Sequence, residues 1–149
     1  MLIKSIQERN GNIPTTTAST AAMDALKALG AKKISLATPY VEGLAKMQEE
    51  FLTANGFEVL HTTWIKERTT LANEISAKTV YELAKESNEV ESEAIFISCA
   101  NLQSIDIIEK IEEDLKKPVI TSNQATMWRM LRLANINVQL QGYGQLFNL

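Results

Sequence analysis

Short apolar or β-branched runs alternate with amphipathic stretches of helical length along most of the chain, and this alternation constrains the fold more than any other feature. KKISLAT (residues 32–38) reads as a buried strand and VEGLAKMQEEFLTANG (41–56) as a helix that stops at Gly56. FEVLHTTW (57–64) is the next strand, and SAKTVYELAKES (76–87) is a helix with Ser76 as its N-cap. EAIFISC (93–99), SIDIIEKIEEDLKK (104–117), PVITS (118–122) and NQATMWRMLRLANI (123–136) continue the pattern as strand, helix, strand and helix. Ahead of these, IPTTT (13–17) reads as a short strand leading into the helix ASTAAMDALKALG (18–30). Strands joined by helices of this length require crossover connections, which are right-handed and lay helices on both faces of a mostly parallel sheet. The expected fold is therefore α/β: a three-layer lobe with a parallel sheet of four or five strands and helices on both faces.

Composition narrows the function classes. The chain has 149 residues, 45% of them hydrophobic, enough for one domain with a real core. A net charge of −3 argues against nucleic acid as a partner. No apolar run approaches the ~20 residues of a membrane span, and MLIKSIQERNG lacks the apolar region of a signal peptide. A single cysteine forms no internal disulfide, and with a single histidine it makes a poor metal set. These features point to a cytoplasmic protein with no metal and no membrane partner. The late Gly142-x-Gly144 pair lacks the strand–loop–helix context of a nucleotide loop.

The chain also echoes itself. With Pro14 laid over Pro118, PTTTASTAAMDALKALGA overlies PVITSNQATMWRMLRLAN, and Thr17/Thr121, Ala21/Ala125, Met23/Met127 and Leu29/Leu133 coincide. Chance similarity between two amphipathic helices is the alternative. The same offset carries Cys99 to a position ahead of Met1. If the echo is real, residues 1–13 are a remnant helix and linker of a preceding lobe, residues 14–149 form the α/β lobe, and the counterpart of Cys99 is absent.

In open parallel sheets ligands gather at the carboxyl ends of the strands. Those ends carry Thr15–Thr17, Thr38-Pro39-Tyr40, Ser98-Cys99-Ala100-Asn101 and Thr121-Ser122-Asn123. Free N–H groups at helix starts, together with hydroxyl donors, suit carboxylates or phosphates, although the same residue types are ordinary N-caps. Cys99 is read at a strand-to-helix junction, where a helix N-terminus favours a thiolate; free cysteines are also commonly buried as small hydrophobes. Tyr40 is either a carboxylate donor or an apolar contact, and Asn73 is either a ligand group or a turn residue. His61 has no nucleophile near it in sequence and reads as structural or surface. Met127, Trp128, Met130 and Leu131 form an apolar stripe of core or interface, and the acidic run Glu109–Asp114 reads as a solvated helix face.

Taken together, these motifs resemble the aspartate/glutamate racemase superfamily, in its maleate cis–trans isomerase and arylmalonate decarboxylase branch. The resemblance rests on Cys-x-Asn-Leu after a strand, on Pro-Val-x-x-Ser-Asn-Gln-Ala-x-x-Trp, and on Leu-Arg-Leu. It extends to IPTTTASTAAMDALKALGAKKISLATPYVE and ANEISAKTVYELAKE. It implies two similar lobes with a site between them, a cysteine from each lobe flanking the substrate, and no metal or organic cofactor. On that basis Cys99 would be the catalytic proton donor or acceptor. Tyr40 and Asn73 would bind substrate, the Ala100 N–H would hold a carboxylate, and Thr38 and Asn101 would border the same place. Ala100 stands where the isomerases usually have threonine.

The resemblance covers the carboxyl-terminal lobe, with the first lobe and its cysteine largely missing. The leading expectation is a cofactor-independent, maleate isomerase-like enzyme acting on a small dicarboxylate and incomplete in this chain. One alternative is a decarboxylase- or racemase-like enzyme completed by another chain, since the decarboxylases use only the cysteine of this lobe. A non-catalytic carboxylate-binding or interaction module is the other. A homo-oligomer, or a partner chain carrying the first lobe, is expected.

Overall fold

The computed structural model describes residues 2–65 and 72–149. Four strands, β1 (Lys33–Thr38), β2 (Glu58–Trp64), β3 (Ala94–Ile97) and β4 (Val119–Thr121), form one sheet in the order β2-β1-β3-β4. Every pairing is parallel, with Ile34 opposite Ala94 and Ile95 opposite Val119. The side-chain period of two divides the strands cleanly. Ile34, Leu36, Ala94, Phe96 and Ile120 point to one face, where they pack against α2 (Ala18–Ala28), α3 (Glu42–Ala54) and α6 (Ser122–Leu133). Ala37, Ile95, Ile97 and Val119 point to the other, against α4 (Ala77–Ser87) and α5 (Ile108–Leu115). This is the expected three-layer α/β lobe.

Local signals explain most boundaries. Ser76 caps α4 by accepting the Thr79 N–H at 3.1 Å. A reciprocal capping box opens α6: Thr121 Oγ1 accepts the Gln124 N–H, and Gln124 Oε1 accepts the Thr121 N–H, each at 3.2 Å. After α3 the chain reverses at Gly56, whose φ of +91° lets the Phe57 N–H reach back to the Leu52 carbonyl at 3.2 Å.

Three expectations need correction. Residues 13–17 form no strand. Pro14 has no N–H for a ladder, and the threonines bond locally: Thr15 Oγ1 donates to the Ile13 carbonyl and Thr17 caps α2. Ahead of them, α1 (Leu2–Arg9) buries none of its residues. Next, the helix expected from residue 104 begins as a 3-10 turn, Ile105–Ile107, and becomes α5 only at Ile108. Finally, the acidic run is not uniformly solvated. Glu112 is 8% exposed because the chain beyond α6 folds back along the β4 side of the sheet. Glu112 accepts N–H groups from Val119 at 2.8 Å and from Gln145 at 2.9 Å, and Glu109 accepts from Gly142 at 2.7 Å. Leu146 and Phe147 complete the core there, covering an edge strand that would otherwise be open.

Within the apolar stripe of α6, Trp128 is buried and Leu131 packs on the core, whereas Met127 and Met130 are exposed. Among the described residues no helix is long and apolar enough to cross a membrane.

Candidate active site

The strand order places a topological switch between β1 and β3. β1 leads into α3 on one face, and β3 leads through its loop into α5 on the other. The crevice outside the carboxyl ends of two such strands is where open α/β sheets bind ligands. Tyr40 leaves β1 there and Cys99 leaves β3, and the two side chains pack in one cluster, close enough for Cys99 to act on the Tyr40 phenol. Burial, then the nearby Cys99 side chain and its charge, push the Tyr40 phenol up to about 12. Tyr40 therefore remains a neutral hydrogen-bond donor throughout the physiological range.

Cys99 is 8% exposed and does not begin a helix, contrary to the sequence expectation. β3 ends at Ile97, and residues 98–104 form a turn and loop before the 3-10 segment. The adjacent helix start is instead that of α6: the Cys99 N–H donates to Ser122 Oγ at 3.1 Å. Two more side chains hold the same loop. Asn123 Nδ2 donates to the Ala100 carbonyl at 2.8 Å, and Gln48 Nε2 donates to Ser98 Oγ at 2.6 Å. Cys99 has a φ of +130°, a conformation that costs a side-chain-bearing residue about 1–3 kcal/mol. Such a conformation persists only where its surroundings over-determine it.

The remaining predicted residues are placed as follows. Thr38 is fully buried, and its hydroxyl oxygen has no hydrogen-bond partner among the described residues. Ala100 and Asn101 are exposed in the turn after Cys99. Asn73 is exposed in the 3-10 turn Ala72–Glu74; its neighbours Ala72 and Ile75 pack in the same cluster as Cys99 and Tyr40. Residues 66–71, which precede that turn in sequence, lie outside the described residues. His61 sits on the surface with Nδ1 3.1 Å from Glu89, as expected of a histidine outside the site.

Beside Tyr40 opens a cavity of about 500 Å³ that the sequence reading missed. Its floor is Phe96 and Ser122, one wall is Ala18, Ser19 and Ala22 of α2, and the other is Leu44, Met47, Gln48 and Phe51 of α3. The lining is mostly apolar, with Tyr40, Gln48, Ser19 and Ser122 as its polar members. The spacing of Leu44, Met47 and Phe51 on α3 held the signal: a second apolar stripe on a helix whose Ala45 and Leu52 already face the core.

Fold and site thus define a parallel α/β lobe in which a thiol and a phenol meet at the switch crevice beside an apolar cavity. A sequence model of the arylmalonate decarboxylase (Amdase) family matches residues 1–147, and the chain belongs to that family. The arylmalonate decarboxylase of Bordetella bronchiseptica is 32% identical over 155 residues, covering 99% of this chain and 62% of the relative. A maleate isomerase of Geobacillus stearothermophilus is 26% identical over 143 residues, 95% of this chain and 57% of the relative. This chain therefore spans less than two thirds of the length of either. A crystal structure of arylmalonate decarboxylase superposes with a TM-score of 0.90 at 30% identity, covering 99% of this chain and 66% of that one. The maleate isomerase from Pseudomonas putida S16 shares the fold, with a TM-score of 0.88 at 24% identity over 98% of this chain and 60% of that one.

Proposed function

We propose that this chain is the thiol-bearing lobe of a cofactor-independent enzyme that decarboxylates a malonate bearing an apolar substituent, with Cys99 supplying the proton. In this reading one carboxylate of the substrate lies against Tyr40 and the Ala100 N–H, and Thr38, Asn73 and Asn101 border it. The bond from the central carbon to the other carboxylate breaks, and CO2 leaves. The electron pair passes into the enediolate of the retained carboxylate. The Cys99 S–H bond then breaks as its proton moves to carbon, and water reprotonates the thiolate.

The observation that carries this reading is the apolar cavity beside Tyr40, which accommodates a hydrophobic substituent and offers maleate little. The isomerase reading draws its support from the 26% identical maleate isomerase, which matches 95% of this chain. Isomerisation by addition of a thiol to the alkene asks for a proton donor on the opposite face, and Cys99 is the only cysteine here. In either case the exposed Val41, at the start of α3, and Leu44, Met47 and Phe51 on it supply a surface for the completing lobe, from another chain or a second copy. A cytoplasmic location belongs to the same proposal.

The test is protection of Cys99 from iodoacetamide by phenylmalonate, followed by assay of CO2 release with the chain and with Cys99→Ala. Protection by phenylmalonate, with release that disappears in the variant, is the expected result. Protection by maleate alone would favour the isomerase reading, and protection by neither would remove both.

A further inference from the structure

Three side chains converge on residues 98–100, and two of them come from the first turn of α6. The hydroxyl of Ser122 accepts the Cys99 N–H at 3.1 Å, with both residues buried, and the Asn123 amide donates to the Ala100 carbonyl at 2.8 Å. Between these two bonds lies the single backbone position in the site with an unfavourable φ, +130° at Cys99. Thr121 and Gln124 lock that first turn through their reciprocal capping box, and Gln124 Nε2 is anchored in turn on the Tyr143 carbonyl at 2.6 Å.

We propose that Ser122 is a positioning residue: with Asn123, it holds Cys99 in its left-handed conformation and so directs the thiol at Tyr40 and the crevice. This rests on the reading of Cys99 as the proton carrier, although the contacts themselves do not depend on it. A residue with a Cβ returns to negative φ unless something prevents it. Rotation about φ would swing the Cys99 Cβ, and the sulfur beyond it, off the line to the phenol. The Ser122 hydroxyl fixes the peptide plane that precedes Cys99 and the Asn123 amide fixes the plane that follows Ala100, so the two-residue segment bearing the thiol is pinned at both ends by one rigid helix turn. Ser122 also lines the cavity beside Tyr40, so the clamp and the substrate space share a wall.

The test reads the backbone and the thiol separately, and neither readout needs turnover. At a residue with negative φ, glycine is less stable than alanine; at one held at positive φ the order inverts. Cys99→Gly is therefore expected to melt above Cys99→Ala in the parent chain. The order is expected to reverse when Ser122→Ala is added, because the released loop relaxes. In parallel, Ser122→Ala is expected to change the iodoacetamide rate at Cys99 by about tenfold, and Ser122→Thr, which keeps the hydroxyl acceptor, to restore it. Asn123→Ala alters an exposed side chain and should shift the same two readouts in the same direction even if Ser122→Ala fails to fold. An unchanged glycine–alanine order together with an unchanged alkylation rate in both variants would overturn the clamp. Loss of decarboxylation with the clamp intact would count against the proposed reaction alone.

Discussion

Tyr40 and Cys99 pack in one cluster where the carboxyl ends of β1 and β3 meet. Each residue leaves a different strand, and the strands are neighbours only because the sheet order switches there. Burial, followed by the nearby Cys99 side chain and its charge, raises the Tyr40 phenol from its ordinary 10 to about 12. A raised tyrosine favours the neutral form in the folded chain. Its stabilising contribution is complete below the unfolded value and is lost as pH climbs from about 10 through about 12. The chain has three tyrosines, so an ultraviolet titration should resolve one step centred at about 12, and Tyr40→Phe should remove it. A titration in which Tyr40→Phe leaves the highest step in place would show that the two side chains are not in contact.

Glu112 provides a second pH-dependent term, far from the crevice. Burial raises its carboxyl above the ordinary range, and the N–H groups of Val119 and Gln145 only partly offset this. Because the folded value is the higher one, the contribution of Glu112 is fully present at acidic pH and declines as pH rises through the folded value. Glu112→Gln should flatten this decline in a series of urea melts at different pH. Glu112→Ala should cost about 1–3 kcal/mol at every pH, because it strands buried N–H donors.

The segment beyond α6 that returns to meet Glu112 turns at Gly144, whose φ is +80°. A Cβ built there would lie 2.6 Å from Ile108 Cγ2 and 3.1 Å from the Glu112 carboxylate. Gly144→Ala should destabilise the chain by more than the ~1 kcal/mol gained where alanine fits. Amide exchange should rise first over residues 142–148, with the sheet still protected.

The layered fold was legible because it follows from periodicity, a local property: alternating residues in β1 and β3 face two helix layers, and Ser76 caps α4 where a capping residue was expected. Tyr40 and Cys99 were legible because strand ends are recognisable one at a time. Glu112 was not, since its burial depends on a strap that returns from more than thirty residues downstream. Nor was the conformation of Cys99, which is set by contacts with α6 across the sheet rather than by its neighbours in sequence. The cavity needed α2 and α3 side by side, a relationship that no window along the chain contains.

The exposed face of α3 should drive association. Val41, Leu44, Met47 and Phe51 are 51%, 48%, 64% and 44% exposed, and the last three line the cavity. Apolar patches of this kind mark interaction surfaces. Sedimentation at micromolar concentration should show a species larger than the 16.6 kDa chain. Met47→Lys with Phe51→Glu should return it to monomer with unchanged circular dichroism. A parent chain that sediments as a monomer would rule out self-association through this face.

Maleate offers the sharpest separation between the two proposed chemistries. Converting it to fumarate by thiol addition needs sulfur to bond to one alkene carbon and a proton to reach the other. Rotation about the resulting single bond and elimination of the thiol then follow. Cys99 can provide the sulfur or the proton, but not both at once, and the chain has no other thiol. Tyr40 is a poor substitute, because a phenol raised to about 12 surrenders its proton reluctantly. Its place beside the thiol, in the same cluster, leaves the opposite face of the alkene unattended. The purified chain should therefore give no fumarate from maleate above the background of Cys99→Ala, as followed by proton NMR. Fumarate formed by the parent chain and lost in Cys99→Ala would mean that a second proton donor is present after all, and the decarboxylase reading would yield to the isomerase.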